Sequence, residues 1–199
     1  MANPQMTRTR ILDAAEGLFF QEGIATTGVD RTAAAAGVSI VTLYKHFGSK
    51  DNLLREILAR RLQDWGAHWE AAIAAAGSPR ERLLAIFHAV EAFRASAGQT
   101  QWCCFLATAS ERPAPAPGSE DPVFDLIRQD TDMVTERLTL LAEEAGCPSP
   151  VSGAASILLV YNGVLASLLR GEPQEPVAQG RATAGLIIDA WSASAAVAG

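Results

Sequence analysis

Apolar side chains recur at helical spacing along almost the whole chain, and strand signals are nearly absent. No Asn-Gly or Asp-Gly hairpin lies between alternating apolar residues. A chain of this kind can bury its apolar stripes only by packing helix against helix, so the expected fold class is all-α.

Glycine, proline and small polar residues cut the pattern into segments. Ile11, Leu12, Ala15, Leu18 and Phe19 form one face of a first helix over about Thr7–Glu22, which Gly23 ends. Thr27-Gly28-Val29-Asp30 resembles a capping box and opens a short helix to Ala36. Ser39 caps a second short helix, Ile40–Phe47, and Ser49 caps a long one, Lys50–Ala76. Ser78-Pro79-Arg80-Glu81 combines three start signals and opens a helix to Ala97. Further helices are expected over Thr100–Glu111, Pro122–Ala145, Pro150–Arg170 and Pro176–Trp191, with a proline-rich loop over Arg112–Glu120. The total is nine.

Composition excludes several classes. Hydrophobic residues make up 49% of the 199 and charged residues 19%, which is globular rather than disordered. The three cysteines, Cys103, Cys104 and Cys147, show neither a disulfide framework nor zinc spacing, so no metal and no cofactor are expected. The start is polar and lacks a signal-peptide pattern, and the uncharged run Ala145–Leu169 is broken by prolines. A cytoplasmic protein outside the membrane is expected.

The net charge of -6 argues at first against a nucleic-acid partner. It is unevenly spread: residues 1–62 carry eight basic and six acidic side chains, and residues 63–199 carry eight and sixteen. An acidic body would be repelled by DNA, so any nucleic-acid contact would have to come from residues 1–62.

Thr27–Leu54 is the informative stretch. Two short helices are joined by Ala36-Gly37-Val38-Ser39, where Gly37 supplies a positive φ, and small alanines allow a close crossing. Val29, Ala33 and Ala36 are expected to be buried on one helix, Leu43 and Phe47 on the other. This is a helix-turn-helix pattern. The N-terminus of the second helix would enter a major groove and place Ser39, Ile40, Val41 and Thr42 near bases. Tyr44 and His46 would reach flanking phosphates, and Lys45 adds a charge on the same helix. Lys50 begins a helix, where its charge opposes the dipole but suits a phosphate. Thr27, Arg31, Thr7, Arg8 and Arg10 are further candidates.

Gly37-Val38-Ser39, then Thr42-Leu43-Tyr44, Phe47, Ser49-Lys50-Asp51 and Leu53-Leu54 resemble the DNA-binding signature of the TetR family of bacterial regulators. Ile11-Leu12-Asp13-Ala14-Ala15 with Leu18-Phe19 and Gly23 extends the resemblance to about residues 7–55. It implies that Arg31, Thr42, Tyr44, His46 and Lys50 occupy contact positions. Two places depart from the pattern: Ile40-Val41 stand where polar or small residues are common, and Thr32 stands where isoleucine is common. Ile40 and Val41 can still meet thymine methyl groups.

A domain boundary is expected after residue 52, with a ligand-binding and dimerisation bundle over 53–199. Val151–Leu169 is apolar on all faces, and Gly180, Ala184 and Gly185 permit close helix approach. A homodimer through about residues 151–191 is expected, and the resemblance implies the same pairing through the last two helices. Trp65, Trp69, Phe87, His88, Trp102, Phe105, Tyr161 and Asn162 are candidates to line a cavity for a small organic effector. Asp125, Asp130, Asp132 and Glu136 are expected to form a solvated face.

The reading is a ligand-responsive regulator, a repressor released from double-stranded operator DNA by a small apolar or amphipathic molecule. Two other classes compete. An α-helical enzyme could use Cys103 and His88 as nucleophile and base, but no oxyanion-type glycine turn adjoins Cys103. A helical scaffold without DNA contact sits poorly with an intact Thr42-Leu43-Tyr44 and Lys50.

Overall fold

The computed structural model describes residues 3–97, 103–116 and 118–197. Among these, nine helices and no strands are found: α1 Pro4–Glu22, α2 Val29–Ala35, α3 Ile40–Phe47, α4 Lys50–Ala75, α5 Pro79–Ala97, α6 Cys104–Glu111, α7 Pro122–Glu144, α8 Pro150–Arg170 and α9 Pro176–Val197. The all-α expectation holds. α1 starts three residues before the expected Thr7, because Pro4 occupies its first turn and the Asn3 side chain accepts from the Gln5 N–H at 3.0 Å. The expected start of α6 at Thr100 lies outside the described residues.

The chain divides into two compact units. The first comprises Met1–Gln63 and Cys103–Gln129, the second Asp64–Trp102 and Asp130–Gly199. α4 and α7 each contribute to both.

In the first unit, Ile11, Ala15 and Phe19 of α1 are buried with Ala33, Leu43, Phe47, Leu53, Leu54, Ile57 and Leu58. These are the apolar positions of helical spacing on α1 and α4, joined by one face of each short helix. Gly37 turns the chain between α2 and α3 at φ 63°, where a side chain would be strained. Arg60 and Arg61 of α4 pair with Glu16 of α1, and Arg60 also reaches Asp13 at 2.7 Å.

In the second unit, α9 packs on α8 and α5. Gly180 makes this possible: a Cβ there would stand 2.2 Å from Val164 Cγ2 and 3.2 Å from Phe87 Cε1. α8 is long and apolar enough to cross a bilayer by length and composition, but Ala154, Ile157, Tyr161, Val164 and Leu165 are buried within the chain. Its other face, with Val151, Leu159 and Leu169, is exposed.

Candidate nucleic-acid interface

α3 is held at both ends by its own sequence. The Ser39 hydroxyl accepts from the Thr42 N–H at 3.1 Å, and Gly48 closes the C-terminus with its N–H on the Tyr44 carbonyl at 2.8 Å. Leu43 and Phe47 anchor the inner face at 0% and 4% exposure. Opposite them, Ile40, Val41 and Tyr44 are exposed at 43%, 64% and 44%, and Lys45 is exposed beside them. Four of the expected contact residues therefore share the outer surface of one short helix.

The other expected contacts are differently placed. Ser39 and Thr42 lie at the helix start, but their hydroxyls bond to each other at 2.9 Å. His46 is half-buried, and its carbonyl accepts from Arg8 Nη1 at 2.8 Å. Lys50 donates to the Ile24 carbonyl, and its ammonium stands 5.5 Å from the Phe19 ring centre. The dipole penalty at the start of α4 is thus offset within the protein. Arg31 is exposed and pairs with Glu22 at 2.7 Å. Arg10 donates to the Ala36 carbonyl at 2.7 Å and closes the C-terminus of α2.

Thr27 corrects the sequence reading. It is 1% exposed, and its hydroxyl donates to the Gly23 carbonyl at 2.8 Å, so it ties the α1–α2 turn and offers nothing to a groove. Nor does it cap α2: Gly28 is the N-cap, without a side-chain hydrogen bond. Thr32 is fully buried, and its hydroxyl donates to the Gly28 carbonyl at 3.1 Å, which satisfies the group where the family pattern has isoleucine.

The effector candidates separate into groups. Trp65 is central to an aromatic cluster in the second unit: it stacks on Trp69 and Tyr161 at 5.9 Å each and meets Phe93 edge-on at 5.8 Å. Arg137 sits 5.1 Å from the Trp69 ring centre and pairs with Glu70 at 3.3 Å. Trp65 Nε1, Trp69 Nε1 and Arg137 Nη1 are buried without an acceptor among the described residues. Phe93 and Arg137 escaped the sequence reading; their helical spacing alone did not distinguish them from ordinary core and surface positions.

Phe87 is buried against Gly180 in the α5–α9 contact. His88 and Asn162 lie apart from this cluster: both are exposed, because each follows a buried aromatic by one position and so turns about 100° away from it. His88 lines a hollow of about 310 Å³ with Ala72, Ala75, Ala76, Gly77 and Glu81. Phe105 is buried in the first unit. Trp102 lies outside the described residues. Cys103 serves as the N-cap of α6, its sulfur accepting from the Leu106 N–H at 3.5 Å.

The acidic face of α7 is also corrected in part. Asp132 and Glu136 are exposed, but Asp130 is half-buried, and burial pushes its carboxyl up to about 7.

Residues 11–57 match the family described as bacterial regulatory proteins, tetR family. The chain is 30% identical over 145 residues to the HTH-type transcriptional activator FasR of Mycolicibacterium smegmatis, covering 68% of this chain and 65% of FasR. Over other curated relatives the match spans 40% of their own length. Among solved structures, the TetR-family regulator SCO4454 of Streptomyces coelicolor aligns with TM-score 0.83 at 24% identity, covering 94% of this chain and 97% of that one. The putative regulator Sav143 of Streptomyces avermitilis aligns with TM-score 0.73 at 30% identity, covering 96% and 99%. The N-terminal match falls on α1 to α4, where the exposed face of α3 stands, and the likeness to Sav143 runs through the whole chain. The chain belongs to the TetR family of bacterial regulatory proteins.

Proposed function

We propose that the protein is a cytoplasmic transcriptional regulator that binds double-stranded operator DNA as a homodimer and releases it when a small molecule binds the helical body. The observation that carries this reading is the outer face of α3, where Ile40, Val41, Tyr44 and Lys45 stand exposed on a short helix capped at both ends. Such a helix fits a major groove. Repression is the proposed sign of regulation. FasR is named an activator, so the sign is read from a reporter gene with and without the protein.

Dimerisation through residues 151–191 is supported by exposed apolar side chains at helical spacing. Val151, Leu159 and Leu169 on α8 and Leu186 on α9 are 72%, 73%, 52% and 71% exposed in the single chain. A two-fold pair would present two copies of α3 to successive grooves, about 34–36 Å apart.

The effector reading rests on the Trp65 cluster. Its unpaired groups, two indole N–H and one guanidinium N–H, are all donors. They favour an apolar or aromatic molecule that carries an acceptor such as a carboxylate. Release would follow from tighter binding to a dimer whose reading heads are wrongly spaced.

The test is a gel-shift titration on duplex from the protein's own upstream region, at two salt concentrations. Binding that weakens steeply with salt supports the reading. No duplex bound at low salt, from that region or from a random library, ends it. A thermal-shift screen of aromatic carboxylic acids against matched amines tests the effector class.

A further inference from the structure

We propose that α3 reads its operator through the C5-methyl groups of pyrimidines, with Val41 and Ile40 as the specificity-determining side chains. This rests on the DNA-binding reading above and goes further by assigning the chemistry of recognition.

Most polar groups around the start of α3 that could read base edges are committed elsewhere; the exposed ones, Tyr44 and Lys45, stand one turn further along. Ser39 Oγ holds the Thr42 N–H at 3.1 Å and lies 2.9 Å from Thr42 Oγ1, so the two hydroxyls at the start of the helix satisfy each other. Arg10 is fixed on the Ala36 and Gly37 carbonyls at 2.7 and 3.2 Å. Arg8 is held by the His46 carbonyl and Glu56, Arg31 by Glu22, and Lys50 by the Ile24 carbonyl. The first turn of α3 itself carries no Arg, Lys, Asn or Gln for bidentate guanine or adenine recognition.

The first turn offers methyl groups instead. Val41 is 64% exposed and Ile40 43%, on a helix whose opposite face is fully buried. Val41 and Lys45 are four residues apart and share one track along the helix; Ile40 and Tyr44 share the next. Each track thus leads with a branched apolar side chain and follows with a polar group able to reach a phosphate. In the major groove the apolar group on a base edge is the thymine C5-methyl. 5-Methylcytosine carries the same methyl at the same ring position, so the shared chemistry is a C5-methylated pyrimidine.

The experiment selects duplexes from a random library with the full chain, then replaces each thymine of the recovered duplex singly by deoxyuridine. At one or two positions per half-site, loss of the methyl should weaken binding about fourfold, the worth of one buried methyl-sized group. With C·G at such a position, 5-methylcytosine should bind more tightly than cytosine. Val41→Ala or Ile40→Ala should abolish the sensitivity at one of these positions. Both side chains are exposed, so the variants keep the fold, checked by an unchanged melting curve. Recovered duplexes that bind but tolerate deoxyuridine throughout overturn this inference and leave the DNA-binding reading standing. So does a sensitivity that survives both variants. Recovery of no duplex overturns the reading and the inference together.

Discussion

Arg112 grips Asp51 with both prongs of its guanidinium, Nη1 to Oδ1 at 3.2 Å and Nη2 to Oδ2 at 3.0 Å, while its Nε donates to Asp121 at 2.9 Å. Asp51 lies in the first turn of α4, and Asp121 accepts from the Val123 N–H at 3.0 Å at the start of α7. One loop arginine therefore fastens two helix N-termini, each electrostatically suited to a carboxylate. Next to it, Glu111 accepts from the Ala25 N–H in the α1–α2 turn at 2.9 Å. The segment around residues 111–112 is thus tied to the helix-turn-helix head by two side chains.

A double-mutant cycle on Arg112→Ala and Asp51→Ala should return a coupling of about 0.5–1 kcal/mol, falling as salt rises. Burial pushes the Asp121 carboxyl up, but hydrogen bonds from Arg112 and from two backbone N–H groups more than offset this and hold it below its ordinary value. Its contribution is present above the unfolded pKa, near 4, and is lost as pH falls through the lower folded one. Urea titrations of Arg112→Ala should accordingly show a shallower loss of stability on the acid side than the parent protein.

Gly180 and Gly66 make a matched pair. Gly180→Ala places a Cβ 2.2 Å from Val164 Cγ2 on the neighbouring helix, whereas Gly66 has nothing within 4 Å of such a Cβ. Overpacking at Gly180 should cost about 1–3 kcal/mol. Gly66→Ala, in the interior of α4, should stabilise by about 0.5–1 kcal/mol through helix propensity. Chemical denaturation of the two variants decides it; equal effects would mean that the α8–α9 contact yields without cost.

Local chemistry was legible in the sequence, and contacts between distant residues were not. Ser39, Ser49 and Ser78 cap α3, α4 and α5 as their spacing implies, because a cap spans only four consecutive residues. The alternation that buries Leu43 and Phe47 is local in the same sense. Lys50 could not be read so easily. Its partner carbonyl, Ile24, is 26 positions away, and only the folded head shows that the lysine is spent inside the protein. Arg10 on Ala36 is the same case. His88 and Asn162 were hard to place for a different reason: each sits one residue out of phase with the buried aromatic beside it, which only the phase of the folded helix decides.

Asp130 gives a pH prediction. Spacing grouped it with Asp125, Asp132 and Glu136, yet it stands one turn from the buried Val134, whereas Asp132 and Glu136 are exposed. Burial raises its carboxyl from 3.8 to about 7. The folded state then holds a proton that the unfolded state has lost, so stability falls as pH climbs between these values. Asp130→Asn should flatten that part of the profile and raise Tm at pH 7 and above, by about 2–4 °C for each kcal/mol recovered. Differential scanning calorimetry from pH 4 to 8 provides the comparison; an unchanged slope would show that Asp130 is solvated in solution.

The proposed dimer makes the sharpest demand on α8. Val151, Ala155 and Leu159 follow one another at four-residue intervals and are all exposed, a stripe that monomeric proteins seldom leave uncovered. Leu159→Glu sets a charge in its middle, and in a two-fold interface the two copies of the residue lie on the same patch. The cost of burying unpaired carboxylates should shift the protein from dimer to monomer at micromolar concentration. Leu159 is 73% exposed in the single chain, so the monomer itself should keep its fold. Light scattering with size-exclusion chromatography reads the mass, and circular dichroism the fold. A parent chain that already runs as a monomer, or a Leu159→Glu variant that remains a dimer, would move the interface away from this face. Since one recognition helix alone makes too few contacts for tight operator binding, the monomeric variant should also lose specific gel shifts while retaining weak, salt-sensitive binding.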